Sequence, residues 1–134
     1  MEETKKLMIV DGNSIINRAF YAIRPLTTKE GIPTNAVYGF INILEKYIAE
    51  YDPAYLCVAF DLPKPTFRHL KYKEYKAQRK KMPDDLAAQM PIAKDVLRAM
   101  NICILEKEGF EADDIIGTVS VMCEQENLDC YILT

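Results

Sequence analysis

Long apolar runs are missing from this chain. Its apolar stretches are of strand length, far short of the roughly 20 residues that a bilayer-crossing helix needs. Nothing like a signal's apolar region follows Met1–Lys6, because Leu7–Val10 is only a strand's worth. The four cysteines, Cys57, Cys103, Cys123 and Cys130, contain no C-x-x-C pair, and three fall in predicted buried strands. That pattern argues against zinc-ribbon sites and disulfide frameworks and for reduced core residues of a cytosolic protein. Histidine occurs once, at His69, and no protein nucleophile with a partnering base is evident. A glycine-rich phosphate loop is absent too: strand one is followed by Asp11-Gly12-Asn13-Ser14, not G-x-G-x-x-G, which argues against a dinucleotide-binding domain. A phosphatase with an aspartyl nucleophile would usually carry a second Asp two residues after Asp11, where Asn13 stands. There is no internal repeat and no low-complexity segment.

At 134 residues the chain is one small domain or a piece of one, long enough for a core. Hydrophobic content of 49% and charged content of 28% suit a globular protein. The net charge of −3 conceals an asymmetry. Between Leu62 and Met82, six lysines with Arg68 and Arg79 face only Glu74, a local charge of +7, so the remainder carries −10. A basic segment on an acidic body suggests phosphates held near a carboxylate cluster.

The periodicities predict an α/β protein. Leu7–Val10 is a continuous apolar run ending in Asp11, the pattern of a central parallel strand. Asn13 or Ser14 is placed to cap the following helix, which buries Ile15, Ile16, Ala19 and Phe20. Thr34 or Asn35 opens a second helix with Val37, Phe40, Ile41, Leu44 and Ile48 inward, stopped by Asp52-Pro53. Tyr55–Phe60 is a second buried strand, and it also ends in an acid, Asp61. Pro63 and Pro65 then exclude a helix at the start of the basic segment, where aromatics alternate with cations. Asp84-Asp85 caps a third helical region with Leu86, Met90, Ala93, Leu97 and Met100 inward, which Pro91 should kink or split. A third strand, Ile102–Leu105, leads to Glu111-Ala112-Asp113-Asp114 at the start of a helix carrying Ile115, Val119, Met122 and Cys123 on one face. Tyr131–Thr134 begins a fourth strand. Strands joined through helices imply a mostly parallel central sheet with helices on both faces, three layers in all, with Asp11 and Asp61 emerging on one edge.

Asp11, Asp61 and the triplet Glu111, Asp113 and Asp114 thus come from three strand-to-helix junctions. Asp and Glu in a first helical turn serve equally as caps, and an Asp-Gly pair serves as a turn. An all-oxygen cluster without His or Cys suits Mg2+ or Mn2+ rather than zinc. Two such ions generate a hydroxide and stabilise both oxygens of an in-line phosphoryl displacement, with the carboxylates as ligands. Phe67, Leu70, Tyr72 and Tyr75, interleaved with cations, suit bases that stack and phosphates that pair, although a charge run also makes a solvated face.

The segments VDGNSIINRAFYA, AVYGF, AFDLPKPTFRH, EYKAQRKKMPDDL and GFEADDIIGT, in this order, resemble the 5′-to-3′ exonuclease and flap endonuclease family. The likeness is to the 5′-nuclease domain carried by bacterial DNA polymerase I, and it covers essentially the whole chain. It implies a PIN-like, resolvase-like 5′-nuclease fold with a basic helical arch at about 62–85. By resemblance Asp11, Asp61, Asp113 and Asp114 are the catalytic acids and, with Glu111, the metal ligands, holding two Mg2+ or Mn2+ ions in the complete domain. Tyr75, Lys76 and Arg79 fall on the family's Y-K-x-x-R segment, and Arg18, Arg68, Lys73 and Lys80 join them as expected DNA contacts. The implied substrates are DNA with a 5′ flap or 5′ end and RNA primer–DNA hybrids, handled during replication and repair in the bacterial cytoplasm. The implied partners are polymerase domains of the same longer chain, with no membrane. In the family a strand like Ile132-Leu133-Thr134 runs into G-D-x-D or A-D-x-D, so residues 1–134 are expected to be the N-terminal part of a catalytic domain whose remainder is absent, and to be a poor catalyst alone. A non-catalytic DNA-binding fragment and a PIN-type ribonuclease are the alternatives, the latter without a reason for the long basic segment.

Overall fold

Four short strands, each rich in apolar residues and each but the last running into a helix or loop, assemble into one parallel sheet. The computed structural model describes residues 4–62 and 82–134. Strands β1 (Lys6–Asp11), β2 (Tyr55–Ala59), β3 (Cys103–Leu105) and β4 (Asp129–Leu133) lie in the order β3-β2-β1-β4. Every pairing is parallel, with Asp11 opposite Ala59 and Val10 opposite Leu133. The carboxyl ends of β1, β2 and β4 therefore share one edge. The helices are α1 (Gly12–Ala22), α2 (Asn35–Tyr51), α3 (Asp84–Ala99) and α4 (Ala112–Gln125).

Side chains alternate across a strand, so each strand feeds both faces. Met8, Val10 and Val58 pack on one face with Ile15, Ile16, Phe40, Leu44, Leu86, Ala93 and Leu97 of α1, α2 and α3. Ile9, Cys57 and Ala59 point to the other face, where Ala112 and Ile116 of α4 meet them. This is the expected three-layer arrangement, with helices on both sides. Fully burying a leucine or phenylalanine contributes about 1.5–3 kcal/mol, so the face with three helices supplies most of the core. The expected arch at 62–85 lies largely outside the described residues, apart from Leu62 and Met82 onward.

Several local expectations change. Asp84 and Asp85 lie in the first turn of α3, with Pro83 at the cap position, where their charge meets the helix N-terminus. Pro91 leaves α3 a single helix rather than two. Packing of Leu86, Ala93 and Leu97 in the core spans the proline and ties both halves of the helix to the same sheet face. In α4 the buried face is Ala112, Ile116 and Cys123, not a stripe through Met122, which is 55% exposed. Cys103 is exposed, because β3 is an edge strand; all four cysteines are free thiols.

The polar lock between α2 and α3 has no apolar signature. Gln89 is fully buried, and its Oε1 accepts the N–H groups of Ala36 and Val37 at 2.7 and 3.1 Å. Those are first-turn donors of α2, which Thr34 leaves without a side-chain cap. The Gln89 amide in turn donates to Asn35 Oδ1, and Asn35 donates to the carbonyls of Phe20 and Ile23 at the end of α1.

Candidate functional site

The acids of the sequence pattern do reach one end of the sheet. Asp11 ends β1 and caps α1: still extended, it accepts the Ser14 N–H through Oδ1 at 3.1 Å. Neither Asn13 nor Ser14 is the cap, because the helix begins directly after the strand, at Gly12. A Cβ on Gly12 would lie 2.5 Å from the Phe60 ring, so the first helical turn sits directly on that ring and leaves no room for another residue. The ring is held from α3 by Lys94, whose Nζ lies 5.0 Å from its centroid and 2.8 Å from Glu106.

Asp61 follows β2 by two residues and is fixed from two sides. Its backbone N–H donates to Asn13 Oδ1 at 2.9 Å, and its Oδ1 accepts the Ala112 N–H at 2.6 Å. Ala112 is the first residue of α4, so one carboxylate links the exit of β2 to the start of the acidic helix. There Glu111 and Asp114 form a capping box: Asp114 Oδ2 accepts the Glu111 N–H at 2.9 Å, and the Glu111 carboxylate accepts the N–H of Asp114. Glu111 is buried and Asp113 exposed. Glu111 and Asp114 thus set the start of the helix, and Asp113 stands exposed in its first turn.

Electrostatics ties three of the acids together. Burial raises the Asp11 carboxyl above its ordinary value, and the nearby charges of Asp113 and Asp61 raise it further. The Ser14 N–H and the Thr134 hydroxyl, 3.4 Å from Oδ2, act in the opposite sense. Among the described residues no three acids close into a ready cation cage. Asp11, Asp61 and Asp113 instead share an edge at electrostatic range. An all-carboxylate set whose buried member has its carboxyl raised chiefly by burial, and further by Asp113 and Asp61, fits a hard divalent cation, which would offset both costs.

Of the expected DNA contacts, Arg18 lies exposed on α1. Arg68, Lys73, Tyr75, Lys76, Arg79 and Lys80 lie outside the described residues. Sequence reasoning missed Asn13 and Thr134, whose side chains meet Asp61 and Asp11, and the Ala112 amide, which leaves no mark in a residue pattern. No helix among the described residues is long and apolar enough to cross a membrane.

The profile of the 5′-3′ exonuclease, N-terminal resolvase-like domain family matches residues 6–134. DNA polymerase I of Caldicellulosiruptor bescii is 50% identical over 129 residues, which is 96% of this chain and 15% of that protein. A 5′-3′ exonuclease of Aquifex aeolicus is 44% identical over 128 residues, 96% of this chain and 44% of that one. The chain thus spans less than half the length of either relative. Among solved structures, a bacteriophage T5 flap endonuclease in complex with DNA and metal ions superposes with a TM-score of 0.67 at 20% identity, covering 96% of this chain and 48% of that one.

Proposed function

Because the chain belongs to the 5′-3′ exonuclease N-terminal, resolvase-like domain family, we propose that its acidic edge serves divalent-metal-dependent hydrolysis of DNA at 5′ ends and 5′ flaps. The observation that carries this reading is the delivery of Asp11, Asp61 and Asp113 to one sheet edge by three separate junctions, with Asp11 raised by burial and by the other two. The names of the similar proteins, an exonuclease and a flap endonuclease holding DNA and metal ions, point the same way.

In this mechanism Asp11, Asp61 and Asp113 hold the cation, and the capping box of Glu111 and Asp114 fixes the helix that carries Asp113. Held there, a divalent cation such as Mg2+ or Mn2+ would supply positive charge toward the scissile phosphate and toward ionisation of a water. Burial and the neighbouring acids raise the Asp11 carboxyl above its ordinary value, so the charge of a cation held there would offset the cost of that carboxylate. Arg18, with Arg68, Lys73, Tyr75, Lys76, Arg79 and Lys80, pairs with phosphates and stacks on bases of the 5′ strand. RNA primers on DNA fit the same chemistry, since neither the acids nor the cations read the sugar. Polymerase domains on a longer chain are the proposed context, after the polymerase relatives.

The test pairs Mn2+-dependent thermal stabilisation with cleavage of 5′-flap DNA in Mg2+ and Mn2+. Millimolar Mn2+ is expected to raise Tm, and Asp61→Asn to abolish most of that rise together with any cleavage. No Mn2+-dependent shift in the unmutated chain, or cleavage indifferent to Asp61→Asn, would overturn the reading.

A further inference from the structure

Asp61 owes its position to a residue that the acid pattern does not include. As the chain leaves β2, the Phe60 N–H still finds a strand partner, the Leu105 carbonyl at 2.9 Å, but β3 ends at that residue. The next donor, the N–H of Asp61, is taken instead by the side chain of Asn13, the second residue of α1, at 2.9 Å. That bond crosses 48 positions of sequence and joins the β1–α1 junction to the exit of β2. With its backbone so held, Asp61 turns Oδ1 to the Ala112 N–H, while among the described residues Oδ2 accepts no hydrogen bond. The chain Asn13–Asp61–Ala112 therefore connects all three acid-bearing junctions.

We propose that Asn13 is a positioning residue for the cation site, setting the Asp61 carboxylate against Asp11 through its hydrogen bond to the Asp61 amide. This rests on the metal-dependent reading of the same edge. Three features single out Asn13. Its Oδ1 accepts the Asp61 N–H, which gives it a direct hold on the backbone that carries the Asp61 carboxylate. It adjoins Gly12, whose contact with Phe60 fixes the height of the turn, so the amide is delivered from a rigid start of helix. No other side chain among the described residues meets the Asp61 N–H, so the loss of Asn13 leaves that donor without its partner. Outer partners that orient metal-binding groups typically govern affinity by roughly 10- to 100-fold.

The experiment is a double-mutant cycle on Mn2+ affinity, read by the electron paramagnetic resonance signal of free Mn2+ in the metal-free protein, with Tm without metal as a control. Asn13→Ala is expected to weaken Mn2+ binding by at least roughly 10-fold. In the Asp61→Asn background the same change should add no further loss, because its effect passes through Asp61. Asn13→Asp retains the acceptor oxygen, guards against misfolding of the alanine variant, and should bind Mn2+ at least as tightly as the unmutated chain. An unaltered affinity in Asn13→Ala with a lowered metal-free Tm would make Asn13 a structural residue only and overturn the inference. Additive losses in the cycle would make it a direct ligand and overturn it too, as would weakened binding by Asn13→Asp. If the unmutated chain binds no Mn2+, or binds it equally well with Asp61→Asn, the metal reading itself fails, an outcome distinct from these.

Discussion

Asp11 carries two duties that pull its carboxyl in opposite directions. As the cap of α1 it is favoured in its charged form by the Ser14 N–H, and as a buried acid beside Asp113 and Asp61 it is disfavoured. Burial and like charge prevail, and the folded value lies above the ordinary 3.8. A carboxyl raised in this way contributes stability that is complete below its unfolded value and is lost as pH rises through the folded one. At pH 7 the ionised group therefore weighs against the metal-free fold. Asp11→Asn removes the charge yet keeps the cap, because Asn caps about as well as Asp. The variant should melt higher than the unmutated chain at pH 7, each kcal/mol of relief giving about 4 °C, and the gap should close as pH falls toward 4. Saturating Mn2+ should reverse the order, since only the unmutated chain keeps the full donor set. Thermal melts at both pH values, with and without Mn2+, check this, and a variant less stable than the unmutated chain at every pH would leave Asp11 with capping alone.

The helices were legible where their inward residues are apolar and opaque where they are polar. Gln89 shows the difference. A 3.6-residue period through Leu86, Met90, Ala93 and Leu97 counts apolar positions and passes over the glutamine between them, yet Gln89 is as buried as Leu97. Replacing it with methionine preserves volume and helix propensity but strands the Ala36 and Val37 amides and the Asn35 carbonyl oxygen. At about 1–3 kcal/mol for each buried group left unsatisfied, Gln89→Met should destabilise the fold by at least about 2 kcal/mol in urea unfolding. A change below 0.5 kcal/mol would mean that water replaces the lock. The same distinction runs through the site. Runs such as Leu7–Val10 and Tyr55–Phe60, each closing on an acid, announced parallel strands and a shared edge, because strand burial and strand ends are written in side chains. Asp61's two partners, a backbone amide of α4 and the Asn13 amide group, depend on how three junctions meet, which no local pattern encodes. The pattern points to Asn13 or Ser14 as the cap and not to Asp11, because it does not reveal that strand and helix abut without a loop.

Across the whole molecule, the two faces of the sheet are unequally covered. One face receives three helices, whereas among the described residues the other receives α4 alone, which packs on β1 and β4 and reaches β2 only in part. A helix about 10 Å across covers roughly two strands spaced about 4.8 Å apart, so among the described residues no helix covers the β2–β3 side of this face. The result is a groove of about 1110 Å³ lined by Leu7, Tyr55, Cys57, Phe110, Val119 and Met122, which reaches Asp114 but not Asp11, Asp61 or Asp113. Phe110 and Met122 are well exposed on its rim. The Cys57 thiol at its floor is pushed up to about 12, chiefly by burial and then by the neighbouring Cys103, Cys123 and Cys130, so it stays protonated and apolar in character at neutral pH. A concavity of this kind captures apolar dyes without any loosening of the fold. The folded chain at pH 7 should therefore enhance 8-anilinonaphthalene-1-sulfonate fluorescence while its near-ultraviolet circular dichroism remains native. Met122→Lys, a change at an exposed helical position, should alter stability by no more than about 0.5 kcal/mol. It should nonetheless cut the dye signal several-fold, and it should leave the Mn2+-induced rise in Tm intact, because Asp11, Asp61 and Asp113 are not among the residues that line the groove. If the dye responds only under conditions that abolish the near-ultraviolet signal, the fluorescence reports a loosened core and the groove is closed in the native protein.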